Sequence, residues 1–230
     1  MSLYQTKFFF TSKEDDNLAF HVNDDKSKVI NNHKKLALKH GYELDKLVHM
    51  KQIHSDIVHV VASDNTFENP PTCDALITNK KDTPLMVMVA DCTPVIFIDE
   101  TKGVIAVAHA GRQGAFKNIV KNVVDIFVSK YASNTKDIKV QIGTSICQAC
   151  YEVGAEIEAE AKELGLAYAI EKKDNSFYLD VNSIILKQLK ECGILDIELS
   201  KKCSSCDKEE YYSYRRDGQT GRFAGVVILT

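Results

Sequence analysis

Short apolar runs and helical periods alternate along the whole chain. Runs rich in Val, Ile and Leu predict strands, because such side chains suit a pleated, buried backbone. These runs cover residues 7–11, 47–52, 57–62, 75–78, 85–90 continuing into 94–98, 103–108, 138–143, 211–214 and 223–229. Apolar residues spaced three and four apart predict helices over 26–40, 115–130, 153–164 and 179–191. With no internal repeat or linker, this order predicts one mixed α+β domain, in which sheets and helices form layers, over residues 1–230.

The centre of the chain carries the pattern of a β-hairpin. A turn-forming cluster at 99–103 separates two apolar runs, and both runs are continuous enough to be covered on two faces. If the hairpin closes at this turn, Cys92 lies just upstream of the first strand segment and His109 just downstream of the second. The two residues then meet at the open end of the hairpin, at the edge of the core. The helix over 115–130 then begins near His109, and its free N–H groups would attract an anion.

Composition narrows the class of protein. The 230 residues, 44% of them hydrophobic, can bury one large core. The 29 basic and 32 acidic residues are mixed along the chain, which argues against nucleic acid or a membrane surface as the partner and favours small molecules. No apolar segment has membrane-spanning length and no signal-peptide pattern is present, so we predict a cytoplasmic location with the seven cysteines reduced.

Two histidines and one cysteine at strand ends are candidates for a catalytic metal site. His54, Cys92 and His109 supply the three ligands of borderline softness that a catalytic zinc ion needs, with a fourth position open. The long spacing between them is a weak signal. The residues alone leave open a purely structural interpretation, in which His54 caps a turn, Cys92 packs as a small apolar side chain and His109 binds a backbone carbonyl.

A second metal signal comes from two CxxC pairs, Cys147/Cys150 and Cys203/Cys206. Four thiolates in this pattern predict a structural zinc site. Against it, the first pair runs directly into the helix-like residues 151–154, and neither pair has a glycine-rich knuckle. A thioredoxin-type redox role lacks its usual strand-before-helix context, and thiols without a shared function remain the open alternative.

The segment over 211–222 combines tyrosines with Arg215, Arg216 and Arg222 around two glycines. Planar guanidinium groups there can grip a phosphate or carboxylate through two hydrogen bonds, and a tyrosine can stack on a ring. A solvated arginine loop before the last strand explains the same residues.

Several ordered motifs together resemble a known family. They are QIHSD (52–56), CDALIT (73–78), ADCTPVIFID (90–99), AVAHAGRQG (106–114), IGTSICQACYEVG (142–154), FYLDV (177–181) and SYRRDGQTGR (213–222). The set resembles the YfiH family, also called the laccase-domain family of purine nucleoside phosphorylases, over nearly the whole chain. The resemblance implies a single domain distantly similar to the cytotoxic necrotizing factor catalytic domain, with zinc bound by His54, Cys92 and His109.

The same resemblance implies an activity. By this resemblance, the protein would use phosphate to cleave adenosine, inosine, guanosine and S-methyl-5'-thioadenosine, and would also deaminate some adenosine. An older assignment of the family is copper-dependent polyphenol oxidase. This chain departs from the family where Arg112 and Gln113 stand in place of the usual Trp and Arg, and where residues 12–15 replace an Arg-Gly pair. We therefore expect Arg112, with the three arginines of the 211–222 segment, to contact phosphate.

The leading hypothesis is a zinc-dependent purine nucleoside phosphorylase, with Asp91 or a water molecule on the metal as candidate proton donors. One alternative is metal-free hydrolysis with Cys92 as nucleophile and His109 as base. Another is a non-enzymatic interaction module stabilised by zinc on the CxxC pairs. Copper is the less favoured metal, because a laccase needs paired histidine motifs and the seven histidines here include no H-x-H.

Overall fold

The computed structural model describes residues 4–230. Its strands, in chain order, are β1 Thr6–Phe10, β2 Val58–Val60, β3 Ala75–Thr78, β4 Leu85–Val89, β5 Thr93–Asp99, β6 Val104–Ala110, β7 Lys139–Ile142, β8 Glu152–Val153, β9 Ile170–Lys173, β10 Ser176–Leu179, β11 Asp196–Leu199 and β12 Phe223–Leu229. The α-helices are α1 Lys26–His40, α2 Arg112–Phe116, α3 Ile119–Tyr131, α4 Ala155–Glu163, α5 Val181–Glu191 and α6 Tyr214–Asp217. This mixed α/β composition confirms the predicted fold class.

The largest sheet is built around the predicted hairpin. It has six strands in the order β11-β7-β5-β6-β3-β2. Strands β5 and β6 pair antiparallel, and Pro94 lies opposite His109 in their register. Every residue of both strands is buried, as the continuous apolar runs predicted. The hairpin therefore brings the segment around Cys92 beside His109, as expected.

The apolar run over 85–90 does not belong to this hairpin, contrary to the prediction. Residues 85–89 form β4, which pairs with β12 in a three-stranded sheet of order β1-β12-β4. The chain changes direction at Asp91, whose backbone has a φ of 88°. A non-glycine residue rarely adopts this conformation, and here it sends the chain from one sheet into the other.

Alternating side chains of these strands fill separate layers. Ile96 and Ile98 of β5 pack against Val87 and Val89 of β4, so the small sheet covers one face of the large sheet. The next residues along β5, including Phe97, face α3 and α5 on the opposite side. The outer face of the small sheet packs on α1 in a third cluster. The period of two along each strand thus produces a helix, sheet, sheet, helix stack.

The helix predicted over 115–130 is two helices. Asn118 has a left-handed backbone with φ of 61°, and its side chain accepts a hydrogen bond from the Lys121 N–H to cap α3. Asparagine tolerates this conformation better than most residues. The break allows the short α2 to begin directly after Gly111, one turn closer to His109 than the sequence predicted.

Other element boundaries also differ from the predictions. Residues 47–52 form only isolated bridges at Val48 and Lys51. Residues 211–214 are not a strand, because the Ser213 side chain accepts from the Arg216 N–H and starts α6. The helices predicted over 153–164 and 179–191 correspond to α4 and α5, but each begins two residues later than predicted. Val153 belongs to β8 and Leu179 to β10. Strands β8–β11 were not predicted, because most of their residues are polar or exposed and form no apolar run.

No helix within residues 4–230 is both long enough and apolar enough to cross a bilayer.

Candidate active site

The structure brings together the three predicted metal ligands. His54 lies in the loop before β2, Cys92 directly before β5 and His109 near the end of β6. One ligand atom from each lies within 4.8 Å of the other two. The Cys92 Sγ is 4.0 Å from His54 Nε2, and the two imidazole rings meet edge to face with centroids 4.8 Å apart. Three residues separated by long stretches of chain thus form one compact group.

A buried aspartate holds two of these ligands in place. Asp74, fully buried immediately before β3, accepts a hydrogen bond from His109 Nδ1 at 2.9 Å. Since Nδ1 carries the donated proton, Nε2 of His109 is left to face Cys92 and to bind a metal. A carboxylate behind a histidine ligand also raises the basicity of the ring.

The same carboxylate organises the loop that carries His54. Asp74 accepts the backbone N–H groups of Ile53, His54 and Ser55 at 3.2, 3.0 and 2.6 Å, and the Ser55 hydroxyl at 2.7 Å. His54 itself has a φ of 59°, an unfavourable conformation that these bonds stabilise. Although burial opposes it, hydrogen bonds from His109 and Ser55 lower the pKa of Asp74 to about 2.

Asp74 is one letter of the CDALIT motif and was not predicted to have a role. The signal that was available is its position: a carboxylate directly before an entirely apolar strand is costly to bury unless several donors surround it.

The thiol and the imidazole influence each other strongly. Burial alone would raise the pKa of Cys92, but the neighbouring His109 and His54 outweigh it and hold that pKa at about 6. Burial would likewise lower the pKa of His109, yet Cys92 and Asp74 raise it to about 9. Cys92 is therefore disposed to be a thiolate at neutral pH, the form that binds a metal or attacks an electrophile.

A glycine makes room for this group. A Cβ atom at Gly111 would lie 2.8 Å from Cys92 Sγ and 3.4 Å from His54 Cδ2. Only a glycine fits between α2 and these two ligands without displacing the sulfur.

The three ligands line a cavity of about 630 Å³. Its volume is in the range of small-molecule sites. Charged and aromatic side chains complete its walls: Arg112, Arg215, Arg222, His21, Tyr151 and Tyr214. The structure thus places three of the four predicted anion-binding arginines around the metal-ligand group.

Arg112 and Arg215 each use part of their guanidinium to hold the cavity wall. Arg112 Nη1 donates to the Glu160 carboxylate at 2.8 Å. Arg215 Nη1 donates to the Glu152 carbonyl at 2.8 Å, and its guanidinium lies over the Tyr151 ring at 4.9 Å. Both side chains keep further N–H groups that can reach an anion.

Arg222 is partly buried in the cavity wall. Its Nη1 donates to the carbonyls of Thr220 and Gly221 at 2.6 and 3.1 Å. Within residues 4–230, Nη2 and Nε have no protein partner. Burial lowers the pKa of Arg222, against the opposing influence of Cys92 and Asp91. A partly desolvated guanidinium gains more from a bound anion than an exposed one does.

Arg216 lies outside the cavity lining. It donates to the carbonyls of Ser204, Ser205 and Tyr211 and pairs with the Asp217 carboxylate. All three of its nitrogens are engaged with protein acceptors, so we do not include Arg216 in the anion site proposed below.

Asp91 also has a structural position. Its carboxylate accepts the Ser204 hydroxyl and the Arg215 backbone N–H, both at 2.6 Å, which ties the C-terminal loop to the residue before Cys92. Asp91 lines the cavity together with other proton-bearing groups. His21 and Tyr151 were not predicted from the sequence, because His21 lies in no chemical motif and Tyr151 is only one letter of the 142–154 motif; the packing of distant segments brings them to the site.

The four cysteines of the CxxC pairs converge as well. The Sγ atoms of Cys147, Cys150, Cys203 and Cys206 all lie within 4.8 Å of one another. They form a second group of metal-ligating atoms, separate from the first.

The chain is similar to known proteins over almost its full length. Residues 9–230 match the family model described as multi-copper polyphenol oxidoreductase laccase. A purine nucleoside phosphorylase of Corynebacterium glutamicum is 37% identical over 219 residues, covering 93% of this chain and 86% of that protein. A purine nucleoside phosphorylase of Streptomyces coelicolor is 34% identical over 216 residues, covering 94% and 88%. The crystal structure of a hypothetical protein YfiH from Bacillus licheniformis has a TM-score of 0.92 at 29% identity, over 98% of this chain and 93% of that chain.

Proposed function

Because this chain belongs to the family described as multi-copper polyphenol oxidoreductase laccase and its relatives above are called purine nucleoside phosphorylase, we propose that it cleaves purine nucleosides with phosphate. The observation that carries this proposal is the His54, Cys92 and His109 group inside a cavity lined by three arginines. Metal ligands and anion-binding groups facing one cavity suit a reaction between phosphate and a neutral nucleoside. Adenosine, inosine, guanosine and S-methyl-5'-thioadenosine are the proposed substrates.

The donor set fits zinc. Two imidazoles and one thiolate, with a carboxylate behind His109, match the ligands of catalytic zinc sites. Zinc bound there would act as a Lewis acid toward an oxygen atom of phosphate or substrate. Copper also accepts these ligands. A laccase, however, needs a cluster of several histidine-bound coppers. The candidate groups within residues 4–230 contain two histidines in one case and none in the other.

The arginines account for phosphate use. In phosphorolysis the bond between the sugar C1' and the base nitrogen breaks, a C1'–O bond to phosphate forms, and the departing base takes up a proton. Positive charge develops on the sugar, so an adjacent oxyanion held by Arg222, Arg112 and Arg215 stabilises the transition state. These side chains also neutralise the phosphate while it is inside the cavity.

The departing purine needs a proton donor at the cavity wall. Burial raises the pKa of Tyr151, so its hydroxyl stays protonated at neutral pH and can donate to a ring nitrogen. His21 faces the same cavity. We propose Tyr151 as the donor in place of Asp91, whose carboxylate is occupied by Ser204 and Arg215.

A second function is favoured by one specific observation. Cys92, His109 and Asp74 are connected as a nucleophile, a base and an orienting carboxylate, the arrangement of thiol hydrolases. This metal-free hydrolase requires neither zinc nor phosphate. The two functions therefore differ in both requirements.

We expect purified protein to release free base from adenosine and inosine only when phosphate is supplied, with ribose 1-phosphate as the second product. Chromatography of the products over a series of phosphate concentrations measures this. Base release that is independent of phosphate would indicate hydrolysis and contradict the proposal. Adenosine deamination, proposed as a side activity, would appear in the same chromatograms as inosine formed without phosphate. His54→Ala is the inactive control.

Removing one arginine should weaken phosphate binding selectively. We expect Arg222→Met to raise the Michaelis constant for phosphate roughly tenfold or more, because a charge-assisted hydrogen bond contributes about 1.5–3 kcal/mol. The zinc content should not change. Initial rates against phosphate concentration give the constant.

Arg112 has a matched control in its ion-pair partner. Arg112→Met should also raise the Michaelis constant for phosphate, whereas Glu160→Gln removes the salt bridge but keeps the guanidinium and should leave the constant unchanged or lower it. Equal effects of the two substitutions would show that Arg112 acts only through the salt bridge.

A further inference from the structure

Four thiols from two distant chain segments meet beside the candidate active site. Cys147 and Cys150 bound the turn at the start of β8, and Cys203 and Cys206 lie in the loop after β11. Their Sγ atoms lie within 4.8 Å of one another, with Cys150 and Cys206 at 3.4 Å. A tetrahedral zinc ion with Zn–S bonds of about 2.3 Å holds its sulfurs roughly 3.8 Å apart. The thiols are therefore close enough together for one metal ion to bind all four.

Apolar packing does not explain this convergence. Cys73, elsewhere in the chain, is fully buried and belongs to the apolar cluster between the two sheets. None of the four cysteines belongs to any of the three apolar clusters. Cys206 is exposed, Cys147 and Cys150 are half-buried, and only Cys203 of the four is buried. Because the four thiols come together without belonging to an apolar cluster, they suggest a shared ligand.

The backbone around the thiols is arranged as in a metal-binding knuckle. The Cys147 N–H points at Cys203 Sγ, 3.2 Å away. Ser145 and Cys203 form an isolated parallel bridge, and the Ser204 N–H donates to the Ser145 carbonyl at 3.0 Å. The two cysteine segments are thus held in register, and an N–H group is available to stabilise a sulfur anion.

Positive charge lies next to both segments. Arg216 Nη1 donates to the carbonyls of Ser204 and Ser205, between the cysteines of the second pair, at 2.9 and 3.0 Å. Arg215 Nη1 is 3.4 Å from the Cys150 carbonyl. Four thiolates around a divalent cation leave a net charge of −2, which the Arg215 guanidinium partly offsets, whereas the charge of Arg216 is already paired with the Asp217 carboxylate. This arrangement also gives Arg216 a role outside phosphate binding.

We propose that Cys147, Cys150, Cys203 and Cys206 bind a structural zinc ion through four thiolates. Each thiol loses its proton on binding, and the four ligands fill the coordination sphere, so the site has no open position for a substrate. Soft thiolate ligands in a tetrahedral set select zinc or iron, and zinc requires no redox partner. The four-thiolate site shares no ligand with the His54, Cys92 and His109 group, and this proposal does not rest on the proposed activity.

This zinc ion would stabilise the loop that forms one wall of the active-site cavity. Ser204, between the two ligands of the second pair, donates to one oxygen of Asp91, and the Arg215 N–H donates to the other. Asp91 directly precedes Cys92 in the chain. Losing the ion would release the loop that positions Arg215.

The test starts from a variant that lacks two ligands of the other candidate metal site. The double variant His54→Ala/Cys92→Ala should retain one equivalent of zinc per chain when purified without added metal. X-ray absorption at the zinc edge should show sulfur ligands alone, at about 2.3 Å. Adding Cys150→Ser and Cys206→Ser should remove that equivalent. Adding Cys192→Ser instead, which replaces a half-buried thiol outside both groups, should retain it.

Several results would overturn the proposal: no zinc in the double variant, iron in its place, nitrogen or oxygen in the ligand shell, or recovery of the four thiols as disulfides. If the variants lacking Cys150 and Cys206 do not fold, the absorption spectrum of the double variant decides by itself. A wild-type protein with one zinc in a shell of sulfur alone would support this site while contradicting the catalytic one.

Discussion

Replacing Cys92 with alanine should remove the zinc bound with His54 and His109 and lower phosphorolysis by more than about a hundredfold. The variant loses the only thiolate of the group, and two imidazoles alone hold a zinc ion much more weakly. Metal analysis of protein purified without added zinc should show one equivalent fewer than in the wild type. The rate of base release from inosine should fall in parallel.

Two comparisons show whether the loss of activity in Cys92→Ala is caused by the loss of zinc. Cys192→Ala removes a half-buried thiol that belongs to neither ligand group, and it should change neither metal content nor rate. A metal-free thiol hydrolase would also lose activity with Cys92→Ala, but its wild type would be active after chelation. If Cys92→Ala keeps its full complement of zinc, the assignment of this residue as a ligand is wrong.

Replacing Asp74 with asparagine should weaken zinc binding roughly 10–100-fold and reduce activity to a similar extent. The amide keeps the size of the carboxylate but presents an NH2 group to the His109 ring or to the loop. Every group that binds Asp74 there is a hydrogen-bond donor, so the NH2 group meets donors where it needs an acceptor. Competition with a zinc chelator measures the affinity. Asp74 acts through its neighbours and is a positioning residue, so zinc affinity is the readout that a merely structural role would not change.

The same substitution should destabilise the fold by about 3 kcal/mol or more, because it breaks a buried, charge-assisted network. The pKa of Asp74 in the folded protein, about 2, lies below its ordinary value of 3.8. The carboxylate therefore stabilises the fold at every pH above about 4, and this contribution disappears as the pH falls toward 2. Urea denaturation of metal-free protein should show the difference from wild type at pH 7 and a smaller one in acid.

Asp99→Asn is the matched control for this experiment. Asp99 is another fully buried aspartate, located at the opposite end of β5, where it accepts the N–H groups of Thr101 and Lys102 in the hairpin turn. We expect Asp99→Asn to lower stability without changing zinc affinity. If both variants lose zinc equally, the effect of Asp74 reflects general destabilisation and not its bond to His109.

Local sequence patterns determined the centre of this protein. The β5–β6 hairpin follows from two apolar runs around a turn, and its register places the segment around Cys92 beside His109. The helical periods of α1 and α5 were also visible, since the apolar face of a helix recurs within a few residues. His54 was a candidate from its position at a strand end, but only the family motifs joined it to Cys92 and His109, since no local pattern shows which residues are neighbours in space.

The tertiary structure decided which distant segments meet. Only stacking of the two sheets puts residues 85–89 into a different sheet from β5, and only a bend at Asp91 makes that possible. The convergence of Cys147 with Cys203, 56 residues apart, depends on a bridge between two loops. Side-chain roles followed from the same contacts: Asp74 binds two ligand segments, and Arg216 turns away from the cavity. Sequence periodicity reports which face of a strand or helix is buried, whereas the partner of that face is selected by packing between residues far apart in the chain.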